Sequence, residues 1–294
     1  MATIANDIEI SAKHCRDITR RSATSFYYAF KTLPRRKARA FEIIYAFMRV
    51  SDDLSDDETI EDRVESLENW RACLKKALAG DTSHHPIMPA LIDVLNEFEI
   101  PPNYLHELID GTVQDLTVTR FEDFEALHDY CYKVASIVGL VSLRIFRLKE
   151  PTETNWARAE KLAIDCGQGF QLTNILRDIK EDWGRDRVYL PQEDLRRFEI
   201  TEADLDNEIY DGRFLDFMYF QCERAEDYYT KSEALLELIE RDARPCLATM
   251  RGIYHGILLR IETADYDIWS RRARVPLGAK LGIAARAFLD RFRG

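Results

Sequence analysis

Two acidic segments carry the residue types that could do chemistry. The first runs Tyr45-Ala-Phe-Met-Arg49-Val-Ser-Asp52-Asp53-Leu-Ser-Asp56-Asp57-Glu58. At about 100° per residue on a helix, Tyr45, Arg49, Asp52, Asp53 and Asp56 share one face, within an arc of roughly 100°. Asp52 and Asp56 are four residues apart, so their carboxylates repel unless a cation or open water lies between them. The second runs from Gly167 through Gln171, Asn174, Arg177, Asp178, Glu181 and Asp182 to Arg187-Val-Tyr-Leu-Pro191. The same rotation sets Gly167, Gln171, Asn174, Asp178 and Asp182 in one stripe about 80° wide. The remaining positions of this helix include Phe170, Leu172, Ile175, Leu176 and Ile179. A polar stripe on an otherwise apolar helix is costly to bury unless it is paired or coordinates something. Asp and Asn oxygens suit Mg²⁺, with Mn²⁺ the alternative, and Mg²⁺ commonly bridges to phosphates. Two such helices facing one another could therefore hold metal ions and, through them, a diphosphate. Arg49 and Arg177 would donate to the same phosphate oxygens. A diphosphate held by metal is a good leaving group. The allylic carbocation left behind needs an apolar, aromatic-lined pocket that excludes water. Phe26, Tyr27, Tyr28, Phe30, Tyr45, Tyr130 and Tyr254 are the candidate rings.

The elements that must position these groups read as helices. The chain has 294 residues, 46% of them apolar and 32% charged, with only 12 Gly and 9 Pro. That is too little punctuation for many short strands and turns. Phe41, Ile44, Tyr45 and Met48 follow helical spacing, as do Tyr130, Val134, Ile137 and Val138, and less cleanly Leu235, Leu236, Leu238 and Ile239. Breaks are expected near Leu33-Pro34, at Gly80 to Pro86, at Pro101-Pro102, at Pro151 to Asn155 and from Gly184 to Pro191. Thr201 with Asp204 reads as a helix start. No linker demands a domain boundary, so one all-α unit over residues 1–294 is expected. The net charge is −11, which argues against nucleic acid as a partner. The charge is uneven, because residues 13–39 carry nine basic side chains against Asp17 alone, and residues 270–294 carry seven against Asp290. Six scattered cysteines form no zinc-like cluster, and no stretch reads as a secretory signal or a membrane span. A cytoplasmic protein is expected, with peripheral membrane contact left open by its basic ends.

With the motifs in place, the chain resembles the squalene/phytoene synthases, which join two prenyl diphosphates head to head. The resemblance rests on Asp52-x-x-x-Asp56, on Gln171-Leu-Thr-Asn-Ile-Leu-Arg-Asp-Ile-Lys-Glu-Asp182, and on Arg187 to Pro191. Ser25 to Phe30 with Leu33-Pro34, Tyr130 to Ala135 with Val138-Gly139, and Tyr254 to Leu258 agree in order, so the likeness runs from about residue 13 to 285. It implies an isoprenoid-synthase helical bundle around a central channel. Asp52, Asp56, Asn174, Asp178 and Asp182 are then implied to bind Mg²⁺. Ser22, Ala23, Thr24, Ser25, Phe26, Tyr45, Arg49, Gln171, Arg177, Tyr254 and Arg271 are implied to contact prenyl diphosphate substrates. Arg49, Arg177 and Tyr130, the last beside the reacting centre, are the implied catalytic groups.

Some members have His and Lys where this chain has Ser22 and Thr24, and Cys where it has Met48. The membrane-anchoring helix of eukaryotic squalene synthases is not seen, so the likeness is to the soluble bacterial branch. The expected product is presqualene diphosphate or squalene from two C15 donors, for a hopanoid or sterol-like pathway. Phytoene synthase with C20 donors and dehydrosqualene synthase are the alternatives, and NADPH use is left open. From other classes, Glu125-Ala-Leu-His128 is an E-x-x-H of the di-iron bundle type, present in a single copy. A non-catalytic helical scaffold is the remaining alternative.

Overall fold

A computed structural model describes residues 2–22 and 26–290, and these are mostly helical. In chain order the helices are α1 (Ala2–Ser22), α2 (Phe26–Phe30), α3 (Arg35–Asp56), α4 (Arg63–Leu78), α5 (Met88–Glu97), α6 (Pro102–Thr117), α7 (Phe124–Cys131) and α8 (Ile137–Phe146). They continue with α9 (Glu153–Trp183), α10 (Gln192–Arg197), α11 (Glu202–Asp206), α12 (Gly212–Lys231), α13 (Leu235–Leu238), α14 (Arg244–Thr263) and α15 (Leu277–Asp290). No strand occurs among the described residues, only two isolated bridges.

The helix ends follow local chemistry. Pro34 and Pro101 precede the first turns of α3 and α6, and Gly80 takes a φ of 102° just past α4. Thr152 accepts from the Asn155 amide to cap α9, and Thr201 and Asp204 form a reciprocal capping box at α11. The helical spacing through Tyr130 to Val138 is interrupted by a π turn at Tyr132–Ser136, which joins α7 to α8. Periodicity alone does not reveal it, because tertiary contacts hold it. The Ser136 hydroxyl donates to the Ile164 carbonyl of α9 at 3.0 Å. Leu235 to Leu238 form only one short helix, and Ile239 leaves it to bridge Leu148.

The long α9 packs on α8, the π turn, α12 and α14, while α3 packs on α1, α4, α5, α6 and α8. Glycines permit the closest crossings. A Cβ on Gly139 would lie 2.5 Å from the Ala163 carbonyl oxygen, and one on Gly167 would lie 2.6 Å from the Ser136 Cα. The buried apolar residues form two clusters, and Phe170 of α9 packs against both. At the start of α3 the buried Lys37 ammonium donates to the Phe146 carbonyl, 3.0 Å away, and pairs with Glu240 at 2.6 Å and with Asp242. This contact ties α3 to the carbonyl end of α8, where a cation is favoured.

Candidate active site

The helices α3, α8, α9 and α14 surround a cavity. Phe41, Ile44, Tyr45 and Met48 line it from α3, and Ala163, Cys166, Gly167, Phe170, Gln171 and Asn174 from α9. Val134 and Ala135 of the π turn, Val138, Phe146, Met250 and Tyr254 add to the wall. None of the described lining residues is charged. Ser142 is in the wall, but its hydroxyl donates to Val138 of its own helix at 2.7 Å. At 1.5 Å per residue, Ala163 to Asn174 spans about 16 Å of α9, and both acidic segments lie toward the same end. The interior is therefore an apolar tube that becomes polar at one mouth. Phe170 and Tyr254 stack there with ring centroids 4.5 Å apart, and Phe41 lies between Phe30 and Phe146 deeper in.

Asp52 and Asp56 occupy the last turns of α3, and Asn174, Asp178 and Asp182 the last turns of α9. Burial pushes the Asp52 carboxyl up to about 6, with Asp56 and Asp115 adding to the rise and Arg49 opposing it. Burial and then Asp178 push Asp182 up to about 7, against the pull of Arg187 and Arg185. Crowded carboxylates whose protons are retained near neutrality are under strain that a divalent cation relieves. Among the described residues, however, no group of three acidic side chains is already gathered as a cation cage. Asp178 is gripped by arginines instead. Arg177 Nε reaches its Oδ1 at 2.7 Å, Arg177 Nη2 binds its Oδ2, and Arg272 Nε reaches Oδ1 at 2.8 Å. Arg49 pairs with Asp53 rather than with Asp52.

Two buried atoms at this mouth have no hydrogen-bond partner, Arg49 Nε and Asn174 Oδ1. Asn174 spends its Nδ2 on Gln171 Oε1 at 3.3 Å, which leaves Oδ1 as an open acceptor. An open donor and an open acceptor at one mouth suit an anion and a cation together. The oxygen-only donor set of Asp52, Asp56, Asn174, Asp178 and Asp182 thus fits Mg²⁺ in kind.

Tyr45, Gln171 and Asn174 of the two helical stripes line the cavity, and so does Tyr254, one of the candidate rings. Tyr130 does not line it. Its ring is 3% exposed and its hydroxyl donates to Asp115 Oδ1 at 2.7 Å. Tyr189 donates to the same oxygen at 2.8 Å and stacks on Tyr130. Burial pushes the Asp115 carboxyl up while the two phenols and Arg187 pull it down. Motif spacing did not reveal Asp115, since a lone acid near the end of α6 has no pattern to mark it. The Arg187 to Pro191 run acquires a physical role here. It lies along residues 119–122, with Val188 N donating to Thr119 O at 2.8 Å and Gln192 N to Phe121 O at 2.9 Å, which sets Tyr189 against Asp115.

Arg271 lines a surface groove together with Arg260, Arg272 and Arg274, and Arg272 also pairs with Asp178 and Glu181. Ser22 closes α1, Ala23, Thr24 and Ser25 lie outside the described residues, and so does the side chain of Phe26. Of the candidate rings, Phe30, Tyr45 and Tyr254 reach the cavity, and Phe41, Phe146 and Phe170 join them unforeseen.

The profile of the squalene/phytoene synthase family matches residues 19–279. The phytoene synthase of Arthrospira platensis is 37% identical over 278 residues, covering 91% of this chain and 89% of its own. The phytoene synthase of Mycobacterium tuberculosis is 34% identical over 288 residues, covering 96% and 91%. Among solved structures, a dehydrosqualene synthase in complex with ligand superposes with a TM-score of 0.87 at 27% identity, over 99% of this chain and 100% of its own. The squalene synthase HpnC from Alicyclobacillus acidocaldarius does so with a TM-score of 0.81 at 26% identity, over 90% and 97%.

Proposed function

The chain belongs to the squalene/phytoene synthase family and is a prenyltransferase, and we propose that it condenses two geranylgeranyl diphosphates head to head in the manner of a phytoene synthase. The C15 preference expected from the sequence gives way to C20. The support is that relatives of 34–37% identity over nine-tenths of the chain are phytoene synthases, whereas the C30-type structures stand at 26–27%. The second reading, farnesyl diphosphate as donor, keeps its support in the superposition on the dehydrosqualene synthase.

The observation that carries the chemistry is the pairing of an apolar, uncharged cavity with open polar atoms at its mouth. Asp52, Asp56, Asn174, Asp178 and Asp182 would hold Mg²⁺, which when bound neutralises the charge that develops on a departing diphosphate. Arg49 and Arg177 donate to that diphosphate, Arg49 through the Nε that has no protein partner. The C1–O bond breaks with its electron pair going to diphosphate. The C2=C3 electrons of the second prenyl group then form the new bond to C1, and loss of a C1 proton closes a cyclopropylcarbinyl diphosphate. Tyr45, Phe170 and Tyr254 present ring faces to the cation and keep water away. A second ionisation expels the remaining diphosphate with its electron pair, and the cyclopropylcarbinyl cation rearranges to a cation linked C1 to C1. Loss of a proton from that cation, with no reductant needed, leaves the linear hydrocarbon.

Purified protein with Mg²⁺ and labelled C15 or C20 diphosphates, with and without NADPH, is the test. Extraction should recover a C40 hydrocarbon from the C20 donor with NADPH omitted. A faster reaction from the C15 donor would move the assignment to the second reading.

A further inference from the structure

At the end of the cavity remote from the acidic segments we infer that Lys37 is a positioning residue, one that fixes Phe146 in the floor and so limits the length of prenyl chain admitted. This selection rests on the function proposed above. Three helices agree on where the floor lies. Along α3 the wall runs from Met48, beside the acidic turns, down to Phe41, and along α14 from Tyr254 down to Leu247. Along α9 it runs from Asn174 down to Ala163. The drop from Asp52 to Phe41 is about 16 Å, as it is from Asn174 to Ala163. Phe146, the last residue of α8, and Leu235 complete this end. Its rings touch in series, with the Phe41 centroid 4.9 Å from that of Phe30 and 5.2 Å from that of Phe146. A chain tip arriving here meets packed aromatic rings.

The floor is held from behind by a charge. Lys37 lies one turn of α3 beyond Phe41 and is 6% exposed. Lysine is almost never so buried unless it is paired. Its ammonium donates to the Phe146 carbonyl, one of those that a helix end leaves without a partner in the helix. It also pairs with Glu240 and Asp242, whose side chains are 40% and 30% exposed. Immediately after Phe146 the chain turns through Arg147 at a φ of 60°, a conformation that favours glycine. Arg147 O accepts from Glu240 N at 3.0 Å, and Lys149 N donates to Leu238 O at 2.9 Å. The Arg147 guanidinium lies over the Phe98 ring.

Lys37 thus joins three segments: the start of α3, the strained end of α8 and the connection from α13 to α14. A buried ion pair seldom adds net stability over apolar packing, and what it can add is a fixed arrangement. Here that arrangement is the depth of Phe146. Lys37 is about 18 Å along α3 from Arg49, too far to touch a diphosphate at the mouth. Its effect on chain length is therefore separable from the chemistry.

The test measures the full chain with Mg²⁺ in two ways. Calorimetry gives affinities for the unreactive thiodiphosphate analogues of C15, C20 and C25 prenyl chains, and turnover assays give kcat and KM for the diphosphates. The native chain should bind its preferred length about tenfold or more tightly than the analogue one isoprene unit longer. Lys37→Met should shrink that ratio about fivefold through the longer donor's KM, while kcat on the preferred donor stays within about twofold. Lys37→Arg should restore most of the discrimination. Phe146→Leu should relax it as well, and the double variant should relax it no further, because Lys37 acts through Phe146. If Lys37→Met does not fold, Glu240→Gln with Asp242→Asn loosens the same clamp from its partly exposed side and should shrink the ratio in the same sense. An unchanged ratio in the clamp variants, equal losses for all lengths, or effects that add in the double variant would overturn the proposal. So would a native chain that binds the two lengths equally. A native chain that selects by length in calorimetry yet turns over no prenyl diphosphate supports the floor and counts against the proposed function instead.

Discussion

At the scale of single residues the mouth of the cavity is an electrostatic problem solved only in part by protein groups. The Asp52 and Asp182 carboxyls sit at about 6 and about 7, against about 3.9 for an aspartate in an unfolded chain. A carboxyl raised in this way keeps its proton in the folded state where the unfolded chain has lost it. Its contribution to stability is therefore present at low pH and disappears as pH rises through the folded value. Protein held in EDTA should melt at progressively lower temperature between about pH 5 and pH 8. Added Mg²⁺ should reverse that fall most strongly at the upper end, because the cation needs both carboxylates ionised. A metal-free melting temperature that climbs over this range would contradict the shifts. We propose that Asp115 is a positioning residue, since its one oxygen accepts from both Tyr130 and Tyr189. Asp115→Asn should lower kcat about 10- to 100-fold with little change in KM, whereas a merely structural role would show in the melting curve with kcat retained.

At the scale of elements, α8 and the π turn cross α9 at the closest approach that glycine allows. Gly139→Ala would press a methyl onto a backbone oxygen that has no room to move, 2.5 Å away. Urea denaturation should register a loss of about 1–3 kcal/mol. Gly212→Ala, where nothing lies within 4 Å, is the control and should change stability by no more than about 0.5 kcal/mol. Equal effects at both positions would mean that the crossing is looser than the structure has it. Most helix ends were legible in the residues, since Pro34, Pro101, Thr152 and Thr201 act on neighbours within a turn. The π turn was not legible, because its contacts come from α9 and from Gly111 of α6, against which Val134 presses.

At the scale of the whole molecule, the proposed function has an acidic protein handle an anionic substrate by placing metal between the two. EDTA should stop turnover and Mg²⁺ restore it, and Asp52→Asn or Asp178→Asn should abolish it with the helical circular dichroism intact. Activity that is indifferent to chelation, or retained in both variants, would remove the metal bridge from the mechanism. Among the described residues no helix is long and apolar enough to cross a membrane.

The sequence by itself determined the all-α class, most helix boundaries and the two polar stripes, because each depends on residues within a few positions of one another. It also carried the family resemblance, which its motifs hold in order along nearly the whole chain. The tertiary structure decided what those stripes meet. It brought Asp115 between Tyr130 and Tyr189, sent Arg272 to Asp178, and walled the cavity with Phe41, Phe146 and Phe170. These contacts join residues far apart in the chain. Their partners are chosen by the packing of helices, and no local period records that choice.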